Sequence, residues 1–212
     1  MSKIIFRSNK FLLSSVIFIL LFASPLAQSA SSGIGDDADD GCLCHGSKSQ
    51  STTVVIEGLP QQWAANQSYD MAITINSTIE KSQDSDARLG GFRLIINDGI
   101  VVFEENNNSQ IIDNGYTHTA QGNEYRQWNF TWTAPTSNDT VVTFVAHGNA
   151  VNSDQQTTGD AWNYVSYSVA GEGFTGVIKE PPNYSNEIDN GEIALLIFSV
   201  ITLVGLFYYS TK

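Results

Sequence analysis

The most reactive side chains in this sequence lie in one run, Gly41-Cys42-Leu43-Cys44-His45-Gly46, which holds both cysteines and one of the three histidines. In an extended segment, two thiols one residue apart project to the same side, roughly 7 Å between Cα atoms at ~3.3 Å per residue. Both can then lean onto one metal ion or one ligand. A disulfide between them would close a tight ring at the edge of allowed Cα separations, and a single such pair offers no staple across a core. His118, at the centre of Thr117-His118-Thr119, extends the set. Cys42, Cys44, His45 and His118 together supply two sulfur and two nitrogen donors, suited to copper or zinc. His147, beside Gly148, is a further candidate. Structural zinc usually draws its thiolates from C-x₂₋₄-C, so the one-residue spacing favours copper-like coordination. The plain alternatives are that His118 is a hydrogen-bonded histidine filling a turn or core position, and that the cysteine cluster caps the first strand.

Signatures of hydrolytic, nucleotide-dependent or dinucleotide-dependent catalysis are missing: there is no G-x-S-x-G, P-loop, H-E-x-x-H or G-x-G-x-x-G. No catalytic residue is assigned, and the expectation is a protein that is not an enzyme, with a redox role left open. Asp36, Asp37, Asp39 and Asp40 lack the rest of a calcium loop and read as solvated charge. Ten Lys and Arg against twenty-two Asp and Glu, a net charge of −12, exclude the basic patch that nucleic-acid binding needs.

The elements that must position these residues are bounded by two apolar ends. Lys3, Arg7 and Lys10 precede an apolar run from Phe11 to Ala23, then small residues to Ala30, the layout of a signal peptide over residues 1–30. Cleavage after Ser29 fits best, with Ala27 and Ser29 as the small residues; cleavage after Ala30 is close behind. At the other end, Ile193 to Tyr209 is uncharged and reads as a transmembrane helix. Together they predict type I topology: export across the cytoplasmic membrane, anchoring there, and a domain facing outward toward an unknown protein or surface ligand. The exposed region is strongly acidic, six basic against twenty-two acidic residues, and repels anionic polymers. It carries six N-x-S/T glycosylation acceptors at Asn66, Asn76, Asn107, Asn129, Asn138 and Asn183. Residues 31–52 read as an acidic opening segment holding the Cys-x-Cys-His cluster, and residues 179–192, with Pro181 and Pro182, as an extended stalk.

Between them, over residues 53–178, hydrophobicity alternates with period two. Tyr69, Met71, Ile73 and Ile75 mark one half-buried strand, and Trp128, Phe130 and Trp132 another. Further strands are expected over 53–57, 91–96, 100–103, 141–146 and 164–169, punctuated by Asn97-Asp98-Gly99, Asp113-Asn114-Gly115 and Ala134-Pro135. The predicted class is all-β: an antiparallel β-sandwich of immunoglobulin-like form, with a closed barrel as alternative. The aromatic residues fall on the alternating face and are expected in the core.

Several motifs in order also carry a family resemblance. After Gly-Cys-Leu-Cys-His-Gly come Val55-Ile56-Glu57-Gly58-Leu59-Pro60, Gly90-Gly91-Phe92-Arg93-Leu94 and Thr117-His118-Thr119. Trp128 to Pro135, Val142-Thr143-Phe144 to Gly148-Asn149-Ala150, and Gly159-Asp160 follow. Over about Gly41 to Ala170 the chain resembles the choice-of-anchor V family, the prokaryotic relative of the reeler domain. The resemblance implies an extracellular reeler-like sandwich with a variable anchor and no established reaction. Many members resemble c-type haem proteins at the N-terminal cluster, with two residues between the cysteines. Here there is one, which keeps Cys44-His45 in the C-x-x-C-H register and displaces Cys42. A single thioether through Cys44, with His45 as proximal ligand and His118 as leading second ligand, is the haem c reading.

Overall fold

The computed structural model describes residues 30–80, 88–105, 107–154, 156–184 and 190–211. The expected signal peptide, apart from Ala30, lies outside the described residues. The period-two segments form strands β1 (Thr52–Glu57), β2 (Ser68–Ser77), β3 (Gly90–Ile96), β4 (Ile100–Phe103), β5 (Ser109–Ile112), β6 (Gly115–His118), β7 (Gln127–Thr133), β8 (Val141–Ala150) and β9 (Ala161–Ala170). They pair antiparallel into two sheets, of order β1-β2-β7-β4 and β5-β6-β3-β8-β9. Two separate sheets around one core make a sandwich, not a closed barrel.

Alternation fixes which side chains fill the space between the sheets. Ile73 of β2, Phe130 and Trp132 of β7, Phe92 and Leu94 of β3 and Phe144 of β8 are buried in one cluster. Rings meet at 4.7 Å between Phe92 and Trp128, and edge-on at 5.0 Å between Trp132 and Phe144. The indole N–H groups that burial would orphan are satisfied: Trp63 donates to the Val169 carbonyl and Trp128 to the Gly122 carbonyl, each at 3.0 Å. The aromatic residues therefore pack as their alternation implies.

The β5–β6 hairpin was visible in the sequence only as its turn. Asp113 and Asn114 both adopt positive φ, 46° and 56°, and Ile112 pairs with Gly115 across the two-residue loop. Its strands have four residues each, too few for alternation to register. Strand β8 runs four residues beyond the expected Ala146 and carries His147 into the second sheet. Gly148 permits this, since a Cβ there would stand 2.8 Å from both Ile75 and Val54 of the opposite sheet.

The outer face of the second sheet explains the termini of this body. Register aligns Arg93, His147 and Tyr164 in one row and Gly91, Asn149 and Trp162 in the next. A face with two aromatic rings, a histidine and an arginine must be covered, and the segment before β1 covers it. Ala38 is fully buried, Arg93 Nε donates to Asp39 at 2.8 Å, and Trp162 Nε1 donates to the Gly46 carbonyl at 2.8 Å. Gly41, at φ 122°, lies flat on the indole, where a Cβ would come within 2.3 Å of it. The segment expected to be solvated acid is thus partly packed, because Asp39 answers a buried arginine while Asp36, Asp37 and Asp40 stay exposed. The proline-containing segment also returns to this face: Tyr184 stands edge-on to His147 at 5.0 Å, and Lys48 donates to the Tyr184 carbonyl.

This body extends to Ser185, and a separate unit contains helix α1 (Asn190–Thr211), 22 residues long. Leu195, Phe198, Ile201 and Phe207 are exposed on it. Among the described residues no helix qualifies as long and apolar enough to cross a membrane, so the span expected over Ile193 to Tyr209 is not shown, although the helix itself is.

Candidate functional site

The reactive run is not extended. Leu43–His45 form one turn of 3₁₀ helix with Cys42 before it, closed by the His45 N–H on the Cys42 carbonyl at 2.9 Å. In a 3₁₀ turn, side chains three apart eclipse and those two apart diverge. The segment is a turn, not the extended stretch on which the two thiols were expected to project together, and both thiols line the same cleft. Both cysteines are free, Cys42 half-buried and Cys44 exposed. Desolvation, and secondarily Cys44, pushes the Cys42 thiol up to about 12, so it is held protonated.

His45 is fixed by Asp160, which stands just before β9. Nδ1 lies 2.8 Å from Asp160 Oδ2, and the two side chains are 13% and 2% exposed. Oδ1 of the same carboxylate accepts the Asn152 N–H at 3.0 Å. A carboxylate oxygen accepts, so Nδ1 is the donor of this pair and Nε2 is the nitrogen left to face a ligand. A carboxylate behind a histidine in this way orients the ring and raises its basicity as a ligand.

The turn and His118 meet at one narrow cleft of about 70 Å³. Cys42, Leu43, Cys44 and His45 form one part of its lining, and Gly90, Gly91, Phe92 and His118 another. Gly91 is what makes room for the imidazole, since a Cβ there would lie 2.5 Å from His118 Cε1. Phe92 N–H donates to His118 Nδ1 at 3.1 Å, and Nε2 faces the Ala30 carbonyl at 3.2 Å. Both nitrogens are thus engaged. Burial lowers the His118 pKa against the opposing pull of the Phe92 and Ala30 main chain, and the nearby His45 lowers it further. As placed, His118 is the hydrogen-bonded histidine of the plain alternative, seated at the edge of the cleft.

His147 is not in the cleft. It lies fully buried on the outer face among Trp162, Tyr164 and Tyr184, with neither ring nitrogen hydrogen-bonded. Among the described residues no three His, Cys, Asp or Glu side chains stand close enough to hold one ion. A copper or zinc centre built from Cys42, Cys44, His45, His118 and His147 is thus not shown among the described residues. His118, with both ring nitrogens engaged by the main chain, and His147, on the outer face, stand apart from the turn's thiols.

Three residues of the site escaped the sequence reading. Asp160 was present only as half of a Gly-Asp pair, and nothing local ties it to His45, 115 positions away. Asn123 and Asn149 also line the cleft, each with a buried Oδ1 that has no hydrogen-bond partner. Orphaned acceptors are a property of the folded surface and have no sequence signal.

The chain matches no family model and no curated protein. It is similar to solved reeler domains of F-spondin, one at 14% identity covering 59% of this chain and 88% of that one, TM-score 0.39. Another is the human F-spondin reeler domain, at 14% identity over 62% and 99% of the two chains, TM-score 0.38. A conjugative transposon lipoprotein from Bacteroides eggerthii is similar at 13% identity over 57% and 98%, TM-score 0.35. These are likenesses of fold at low identity, and they do not carry the choice-of-anchor V label.

Proposed function

We propose that this is an exported, surface-held binding module, and that its cleft takes a haem attached through Cys44 with His45 as the iron ligand. The observation that carries the reading is the His45–Asp160 pair, a histidine with its Nδ1 committed to the carboxylate and its Nε2 left to face a ligand, on the lining of a largely apolar cleft. Cys44 is the exposed thiol of that lining and the natural point of attachment. Exposed Leu43 offers apolar contact to a porphyrin seated at the mouth of the cleft, and Asp160 holds the imidazole in one orientation. When bound, haem supplies one-electron redox chemistry. The acidic surface favours a cationic partner and excludes nucleic acid. Export, with the body held at the outer surface, completes the proposal; its support is the leader pattern of the sequence. Asn66, Asn76, Asn107, Asn129 and Asn183 are exposed enough for glycosylation of an exported chain.

The test is expression of the full chain in a host with cytochrome maturation machinery. The expected result is a Soret band and an intact mass raised by one haem, both lost in Cys44→Ala and retained in Cys42→Ala. Asp160→Asn should keep the fold and the added haem mass and shift the Soret band, because the imidazole loses the carboxylate that orients it. A colourless chain with two titratable thiols would refute the haem reading, and metal analysis of that sample would show whether copper or zinc takes its place.

A further inference from the structure

The cleft carries two unmet demands. Asn123 Oδ1 and Asn149 Oδ1 are buried acceptors without partners, on residues only 6% exposed that both line it. A buried acceptor left unpaired forfeits the hydrogen bonds it had in water, so a group rich in N–H or O–H donors belongs beside them.

A second observation identifies that group. The chain from Ala30 to Ile34 is gripped along its main chain by side chains of the second sheet and the loop after it. His118 Nε2 meets the Ala30 carbonyl at 3.2 Å, Asn123 Nδ2 donates to the Ser31 carbonyl at 3.0 Å, and Gln110 Nε2 donates to the Ser32 carbonyl at 2.5 Å. Thr117 Oγ1 accepts the Ile34 N–H at 3.2 Å. The same Asn123 amide that holds Ser31 therefore presents its idle oxygen beside the strap, and Ala30 is itself part of the cleft lining.

Building on the export reading, we propose that leader removal after Ser29 makes Ala30 the cleft's own ligand, its α-ammonium supplying the donors that Asn123 and Asn149 await. Hydrolysis of the Ser29–Ala30 amide by a leader peptidase adds water across the bond. Water's oxygen leaves on the Ser29 carboxylate, and the Ala30 nitrogen takes both of its protons. One amide donor becomes three ammonium donors, and charge strengthens each hydrogen bond made. Cleavage one residue later would remove the carbonyl that His118 holds, so the grip on Ala30 also selects between the two sites read from the sequence. The cleft of the exported protein is then a product of maturation, closed on one side by its own amino terminus.

The experiment uses the haem-free mature chain, produced with its native leader, and the same chain carrying Gly-Ser before Ala30. Intact mass should place the first residue at Ala30, and the extension should lower Tm by about 5 °C. In the Asn123→Ala/Asn149→Ala background the extension should cost less than about 1 °C, because the acceptors it separates from the ammonium are gone. Should that double variant not fold, Asn149→Ala alone makes the comparison and should halve the effect. A first residue other than Ala30 would overturn both the proposal and the cleavage reading. A chain that begins at Ala30, yet whose Tm ignores the extension or shifts equally in both backgrounds, overturns the proposal alone.

Discussion

Trp162→Ala is expected to destabilise the body by about 3–5 kcal/mol and to expose the Cys42 thiol to labelling. The indole is fully buried on the outer face of the second sheet, and it is the surface on which the segment before β1 lies. Its removal leaves a cavity beneath Gly41, deletes the hydrogen bond to the Gly46 carbonyl at 2.8 Å, and so releases the segment at two points flanking Cys42 to His45. In the native chain a thiol reagent should label exposed Cys44 quickly and Cys42 slowly, because only the thiolate reacts and Cys42 is held protonated. In Trp162→Ala the two rates should converge. Gly41→Val should reproduce the labelling result from the other side of the contact. A loss below about 1 kcal/mol, with Cys42 still protected, would mean the segment is held by something other than this ring.

Acid should destabilise the protein through His147. Burial lowers its pKa from 6.5 to about 4 in spite of the Asp39 main chain and the Asp39 and Asp40 carboxylates, which pull it upward, and Arg93 opposes them. The Asp39 main chain is near enough to favour the charged ring without making a properly aligned hydrogen bond. Tyr164 and Tyr184 complete the surroundings. Above pH 6.5 the ring is neutral in both folded and unfolded chains and contributes no pH dependence. Between about 6.5 and 4 the unfolded chain binds a proton that the folded chain refuses, so stability falls as pH falls, by roughly 3 kcal/mol in all. Below about 4 both forms are protonated and this contribution levels off. His147→Phe keeps an aromatic ring against Trp162 and Tyr184 and abolishes the titration. Denaturant unfolding at pH 7 and pH 4.5 should therefore show a smaller acid loss in the variant by most of that amount. Equal losses in both proteins would place the acid sensitivity on the carboxylates they share.

These two effects come from the same place, the outer face of the second sheet, and that face was the least legible part of the fold. The first-order architecture was open to reading because period-two alternation is a local property: Tyr69 to Ile75 and Trp128 to Trp132 announce their strands, and burial of those alternate residues follows from pairing alone. Leu43–His45 was misread because an apolar residue between two cysteines looks the same in an extended strand and in a 3₁₀ turn. What chose the turn was Gly41 lying on Trp162, a contact between residues 121 positions apart.

By itself the sequence determined an all-β body, its core aromatics and the single run in which thiol and imidazole chemistry concentrates, since composition, alternation and spacing are all carried by neighbours along the chain. Only the tertiary structure decided which groups share a site. It brought Asp160 behind His45, set His118 at the cleft with both nitrogens spent, buried His147 among aromatic rings, and left Asn123 and Asn149 with idle oxygens. The reason is that side-chain protonation and hydrogen bonding depend on desolvation and on partners supplied by distant strands, and strand register, not sequence proximity, determines who those partners are.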